Sequence, residues 1–185
     1  MGTQIAGLCL AIFGFCGTIL ICGLPMWKVT AFIGSNVVVT QVFWEGIWMN
    51  CVIQSTGHSQ CKAYDSVLAL PQELQVSRGL ICVSIAVSVV AIGLTVVGTR
   101  YTNFFDYDLR NKYNMGMAGG VVFIIAGLLC IIPVSWSAYS IISGFYNPVV
   151  SDARKGELGA SIYVGWLSGA LLVIGGGMLC SSYGC

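Results

Sequence analysis

Residues 43–61 read Phe43-Trp44-Glu45-Gly46-Ile47-Trp48-Met49-Asn50-Cys51-Val52-Ile53-Gln54-Ser55-Thr56-Gly57-His58-Ser59-Gln60-Cys61. Aromatic and β-branched residues, which suit a pleated and half-buried surface, dominate the apolar positions of its first half. Ser55, Thr56 and Gly57 then supply turn chemistry. The spacing predicts a strand over about 47–54, a turn, and a returning strand from Cys61 to Tyr64. Upstream, Val29 to Ile33, the pair Gly34-Ser35 and Asn36 to Phe43 predict strand, two-residue turn and strand. Gly46 is expected at a bulge or bend, where the missing Cβ lets the chain turn. The result is a small antiparallel sheet.

Outside this loop the chain changes character. Only 15 of 185 residues are charged (8 Lys or Arg plus 7 Asp or Glu), and 57% are hydrophobic. A soluble domain carries about a quarter charged residues, so the deficit excludes most soluble folds, disorder and nucleic-acid binding. The net charge of +1 gives no electrostatic case for an acidic partner. Residues 1–27, 79–99, 113–151 and 158–185 contain no Asp, Glu, Lys or Arg. Each holds an apolar run of the roughly 20 residues that one bilayer crossing needs. Four transmembrane helices are predicted, near 5–25, 77–99, 115–140 and 158–180, in one domain over 1–185. The first lacks the basic n-region of a secretory signal and is read as retained. Ser143, Asn147 and Pro148 favour ending the third near Gly144. In the fourth, Ser161, Gly165 and Gly169 recur every four residues, a pattern that lets helix backbones approach closely.

Loops are thereby placed at about 26–76 and 141–157, with a connection at about 100–114. Cys51 and Cys61 flank the predicted hairpin, apart from the cysteines of the helices. Closing their ring stabilises the fold by about 2.8 kcal/mol in the loop-entropy model. Such a bond persists in an oxidising compartment, so the loop is expected outside the cell and both termini in the cytoplasm. Free thiols are the alternative. A zinc site is disfavoured, because His58 sits alone on a turn and no C-x-x-C pair occurs. Cys9, Cys16, Cys22, Cys82 and Cys130 fall inside helices as small apolar packing residues. Cys180 and Cys185, at the inner end of the fourth span, are candidate palmitoylation sites.

Trp27, followed after a strand pair by Gly46-Ile47-Trp48 and then Cys51 and Cys61, resembles the signature of the claudins, the four-helix proteins of tight junctions. The likeness extends over nearly the whole chain, through Pro25-Met26-Trp27, Thr30-Ala31-Phe32-Ile33-Gly34-Ser35-Asn36, Gln54-Ser55-Thr56-Gly57, Leu68-Ala69-Leu70-Pro71-Gln72, Val134-Ser135-Trp136, Phe145-Tyr146-Asn147-Pro148 and Tyr163-Val164-Gly165-Trp166. It is strongest to the subgroup that includes receptors for a clostridial enterotoxin. Ile47 stands where the family has Leu. Tyr101 and Phe104 stand where many relatives carry juxtamembrane cysteines. The family continues into a tail that binds PDZ scaffolds; the sequence given ends at Cys185, so such a scaffold is not assigned as a partner.

The expected fold class is membrane α+β: a left-handed-type bundle of four transmembrane helices with a small antiparallel extracellular β-sheet drawn from both extracellular loops. The resemblance implies polymerisation into tight-junction strands, with the chain contacting itself and other claudins in cis and in trans and controlling paracellular permeability. It places Val67 on a short extracellular helix, pressing into a neighbour near Phe145 and Tyr146. Phe145, Tyr146, Asn147 and Pro148 would also shape the trans-contacting loop; alternatively the aromatics merely close the extracellular subdomain. Asn147-Pro148-Val149-Val150 resembles the motif bound by the enterotoxin C-terminal domain, with Val149 where receptors have Leu. Cation-conducting relatives carry an acid at the position of Gln54. Lys62, partly offset by Asp65, is the candidate for repelling cations, or else a solvated surface charge. The expectation is a cation barrier with weak anion preference. Arg78 is expected to pair a loop carboxylate or cap carbonyls beneath the sheet.

Membrane lipid is the surrounding partner. No cofactor, metal or nucleic acid is expected, and no nucleophile–base pair, phosphate loop or intramembrane charge points to catalysis or single-chain transport. The competing readings are an auxiliary, myelin-type or epithelial membrane protein of the wider superfamily without strand-forming activity, a membrane oxidoreductase, and a self-contained channel.

Overall fold

The computed structural model describes residues 2–33, 40–66, 68, 70–99, 109–149 and 155–184. Four helices, α1 (Gly2–Gly23), α2 (Gln72–Gly98), α3 (Leu109–Tyr146) and α4 (Ala160–Gly184), are each long and apolar enough to cross a membrane. At 1.5 Å per residue the 38-residue α3 is about 57 Å long, nearly twice the hydrocarbon thickness. It therefore extends past the apolar stretch at both ends, to Tyr146. Likewise α2 starts at Gln72, with Pro71 preceding it and Glu73 in its first turn. Hydropathy delimits the part of a helix that lipid tolerates, whereas hydrogen bonding and end residues delimit the helix itself.

Glycines set the helix contacts. A Cβ on Gly175 of α4 would lie 2.8 Å from the Gly7 carbonyl of α1, and one on Gly176 would lie 2.6 Å from the Gly120 carbonyl of α3. Gly165 and Gly169 face Val134 and Ile131. Between α2 and α3 the contact is partly polar: Ser84 Oγ donates to the Ala126 carbonyl at 2.7 Å, and the Ser77 and Ser137 hydroxyls meet at 3.1 Å. Interhelical hydrogen bonds of this kind contribute about 0.6 kcal/mol each in lipid.

Four strands lie between α1 and α2: β1 (Lys28–Ile33), β2 (Thr40–Glu45), β3 (Met49–Ile53) and β4 (Ser59–Ala63). A fifth, β5 (Glu157–Leu158), precedes α4, and the sheet order is β4-β3-β2-β1-β5 with every pairing antiparallel. The predicted turn at Gly34-Ser35 and the first half of the predicted strand from Asn36 lie outside the described residues; β2 is described from Thr40. Two buried clusters hold the bundle. Trp27, Ile47, Ile81, Val134 and Ile162 gather beneath the sheet, while Ala11, Ala91, Phe123, Leu172 and Tyr183 gather towards the other end.

Candidate functional site

The sheet is seated on the bundle by three motif residues. Trp27, 1% exposed, donates its indole N–H to the Ile21 carbonyl at 2.8 Å, in the last turn of α1. Its backbone N–H donates to Glu45 O, and its carbonyl accepts from Gly159 N–H, both at 2.9 Å. One residue thus ties α1, β2 and the start of α4 together. Gly46 lies against Pro25 so closely that a Cβ would overlap the Pro25 backbone, which gives the expected bend a steric cause. Arg78 is 8% exposed; its Nε–H donates to the Ile47 carbonyl. Its guanidinium carbon lies 4.8 Å from the Trp48 ring centroid and 5.5 Å from that of Tyr64. Of the two roles foreseen for Arg78, the structure places it on a carbonyl, with two aromatic rings in place of a carboxylate. Such stacking is worth about 2 kcal/mol when desolvated. Burial pushes the Tyr64 phenol above its ordinary pKa.

Cys51 and Cys61 are joined by a disulfide across β3 and β4, with Cα atoms 4.0 Å apart. That short separation marks a non-hydrogen-bonded pair. The ladder's ends agree: Tyr64 N–H donates to Trp48 O and Gln54 N–H to His58 O. Along β4, therefore, Gln60 and Lys62 bond to β3, while the backbone polar groups of Ser59, Cys61 and Ala63 point to the open edge. All five residues of β4 are exposed. Unpaired strand edges are templates for pairing with another chain.

Lys62, opposite Asn50, shares with it the face away from the disulfide. Its Nζ lies 2.7 Å from Asp65 Oδ2, both side chains well exposed. That hydrogen bond holds the Lys62 ammonium above its ordinary pKa, so the lysine stays charged through the neutral range. Gln54 sits at the hairpin end, where its carbonyl accepts from Gly57 N–H at 2.9 Å; Gly57 has the positive φ, +80°, that favours glycine. Four residues of strand separate Gln54 from Asn50, about 13 Å, so Gln54 and Lys62 occupy opposite ends of the hairpin.

Phe145 and Tyr146 are the final residues of α3, packed edge to face with centroids 5.6 Å apart. Together with Ile141, Ile142, Leu158 and Tyr163 they border an open cavity of about 400 Å3. Tyr146 is 78% exposed. Beyond the helix, Asn147 Oδ1 accepts from Val149 N–H at 3.1 Å, and the Val149 side chain stands 89% exposed. Val67, Val150 and Cys185 lie outside the described residues.

Against known proteins, the profile of the PMP-22/EMP/MP20/Claudin family matches residues 1–179. Human Claudin-4 is 54% identical over 180 residues, covering 97% of this chain and 86% of the relative. The zebrafish (Danio rerio) Claudin-like protein ZF-A89 gives the same three figures, and human Claudin-3 is 52% identical over 182 residues, covering 98% and 82%. The chain belongs to the claudin family. It is accordingly a multi-pass membrane protein of the tight junction with a structural role, and not an enzyme.

Some of this claudin's site residues escape sequence reasoning. Lys28 Nζ lies 3.6 Å from Glu45 Oε2 across β1 and β2, a pair that only the strand register reveals. Tyr64 joins the Arg78 stack with no motif to announce it. Cys180 directs its S–H at the Met117 carbonyl, 3.7 Å away on α3, so acylation there requires the thiol to rotate outward.

Proposed function

We propose that this claudin polymerises into tight-junction strands, in cis within one membrane and in trans with the opposing cell, and that its strands form a cation barrier with weak anion preference. The observation that carries this reading is the β4 edge: five exposed residues, of which Ser59, Cys61 and Ala63 turn their backbone donors and acceptors outward, held rigid by the disulfide and the Trp27 and Arg78 anchors. On this reading the sheet lies outside the cell, since its disulfide calls for an oxidising compartment, and both termini are cytoplasmic. The cavity beside Phe145 and Tyr146 receives the lateral neighbour's Val67, and the PDZ tail of the family is left unassigned. Expression in cells that lack junction strands tests the proposal. Freeze-fracture strands with raised transepithelial resistance are expected; their absence favours an auxiliary or myelin-type membrane protein.

Selectivity rests on the Lys62–Asp65 pair. The pair is nearly neutral beyond its own length, because exposed charges are screened within about 8 Å. Lys62→Glu sets a second carboxylate beside Asp65 and is expected to raise sodium over chloride permeability in dilution-potential measurements. Asp65→Asn leaves the ammonium uncompensated and is expected to shift permeability towards chloride. Unchanged potentials in both variants would remove this pair from the selectivity mechanism.

The same surface supports a toxin-receptor role. Asn147, Pro148 and the projecting Val149, with Val150 next in sequence, match the enterotoxin-binding pattern except at Val149. Adding one methylene to an apolar contact is worth about 0.8 kcal/mol, or about fourfold in affinity. Val149→Leu is therefore expected to tighten binding of the enterotoxin C-terminal domain about fourfold by titration. Equal dissociation constants would show that the side chain at 149 stays outside the toxin pocket.

A further inference from the structure

Arg78 is a buried cation with no anion beside it. Its Nε–H is taken by the Ile47 carbonyl, but a guanidinium carries a full positive charge and further N–H donors on its two terminal nitrogens. Among the described residues these donors meet no carboxylate: Glu45 is paired with Lys28 and Asp65 with Lys62. The Trp48 and Tyr64 rings flank the group, 4.8 and 5.5 Å from its carbon, and leave its terminal edge unbonded. That edge is not sealed. Among the described residues, the fully enclosed side-chain nitrogens and oxygens without a partner are Trp44 Nε1 and Ser161 Oγ, so the Arg78 terminal nitrogens reach the surface. What lies outside follows from depth. The roughly 20 residues from Gly79 to Gly98 carry no charge and rise about 30 Å, the thickness of bilayer hydrocarbon. Arg78 is thus the last charged residue before the hydrocarbon, level with the headgroups on the sheet's side. Trp48, 42% exposed, sits there as interfacial tryptophans do. Beside Arg78 the helix surface is open: Gly79 and Cys82 are exposed, and a Cβ on Gly79 would meet nothing within 4 Å.

We propose that Arg78 binds the phosphate of a phospholipid from the leaflet on the sheet's side. The phosphodiester supplies the missing negative charge, and its two non-bridging oxygens accept from the guanidinium fork, the geometry in which arginine recognises phosphate. The bare helix surface at Gly79 admits the headgroup. Below it, the acyl chains run along the exposed face of α2 past Cys82, Val83, Val89 and Val90. A phosphate is favoured over a carboxylate because the medium at this level is lipid, and every phospholipid carries one there. The site has a structural consequence. Arg78 holds the sheet through the Ile47 carbonyl and the Trp48 ring, so a bound headgroup neutralises and immobilises the side chain on which the sheet rests. The lipid becomes a component of the anchor, and the firmness of the sheet's seat depends on the phospholipid beside α2.

The test uses the full chain purified in a maltoside detergent, which carries no phosphate, and native mass spectrometry with added lipid. Phosphatidylcholine, phosphatidylglycerol and diacylglycerol with the same acyl chains are compared. Both phospholipids should be retained, and diacylglycerol about tenfold more weakly, the factor expected for losing one hydrogen-bonded charge pair. Both phospholipids should raise the melting temperature, and diacylglycerol should not. Gly79→Leu fills the open space and leaves the bonds of Arg78 in place. It should melt no lower than wild type in detergent alone, since leucine favours a helix over glycine, yet bind both phospholipids about tenfold less. Arg78→Lys keeps the charge but lacks the fork, and should lose binding as well. If that variant fails to fold, Gly79→Leu and the three lipids decide. The proposal is overturned if diacylglycerol is retained as well as the phospholipids, or if Gly79→Leu or folded Arg78→Lys binds with wild-type affinity. Retention of phosphatidylcholine without phosphatidylglycerol overturns it by placing the choline, not the phosphate, in the site. Displacement of the lipid by an equal concentration of inorganic phosphate overturns it in favour of a free anion.

Discussion

Replacing Ala63 by proline is expected to abolish strands at cell contacts and to lower transepithelial resistance to that of cells without the protein, while the chain still folds and reaches the surface. The register is what separates these two outcomes. Ala63 opposes Met49 in a non-hydrogen-bonded pair, so its N–H points to the open edge, away from β3. Proline is accepted on an edge strand when the donor it removes faces solvent. The preceding residue, Lys62, is already extended, as a pre-proline residue prefers. The variant therefore removes one donor available to a neighbouring chain and spares the β3–β4 ladder and the disulfide. Lys62→Pro provides the contrast, because the Lys62 N–H bonds to Asn50 within the ladder; its loss should lower surface delivery itself. Surface biotinylation measures folding and export, and freeze-fracture measures strands. Normal strands from surface-delivered Ala63→Pro would exclude backbone pairing at this edge, leaving the Phe145 and Tyr146 cavity as the site of assembly.

How much of this was legible follows from what each inference depends on. The four spans were readable because lipid forbids charge, and the positions of 15 charged residues delimit them directly. The Cys51–Cys61 bond was readable because the hairpin between them is local in sequence. Helix ends were less so: Ser143 and Gly144 weaken a helix without stopping it, and α3 runs on to Tyr146, two residues before Pro148, so Phe145 and Tyr146 stand on a helix end where a loop was expected. A sheet drawn from both extracellular loops was expected, but the place of β5 within the second loop was not readable from local pattern. Two residues, Glu157 and Leu158, carry no periodicity, and their pairing comes from Lys28 and Val29, more than a hundred residues earlier. The partner of Arg78 stayed ambiguous for a related reason. A guanidinium can be satisfied by a carboxylate or by a carbonyl and ring faces, and only the approach of Ile47, Trp48 and Tyr64 decides between them. Lys62 and Gln54 were grouped by family role, yet the hairpin holds them at opposite ends.

The largest loss of stability is expected at Trp27. Its side chain is enclosed by Ile21, Ile47 and their neighbours, so Trp27→Ala should destabilise by about 3–5 kcal/mol. Two contributions are combined in that figure, and a second variant separates them. Trp27→Phe keeps most of the ring packing but removes the indole N–H, leaving the Ile21 carbonyl unpaired. That carbonyl is among the last four of α1, which have no partner within the helix, and a buried acceptor left unsatisfied costs about 1–3 kcal/mol. Thermal unfolding in detergent, followed by circular dichroism, should rank wild type above Trp27→Phe and Trp27→Ala lowest. Coincident melting of the two variants would assign the whole effect to the hydrogen bond that caps α1; a Phe variant matching wild type would assign it to packing. Wild-type melting of Trp27→Ala would remove Trp27 as an anchor. The rigid presentation of the β4 edge would then have to come from Arg78 and the disulfide, both on the α2 side of the sheet, with the Trp48 bond to Cys22 and the Ser161 bond to the Met26 carbonyl left to hold the sheet to α1 and α4.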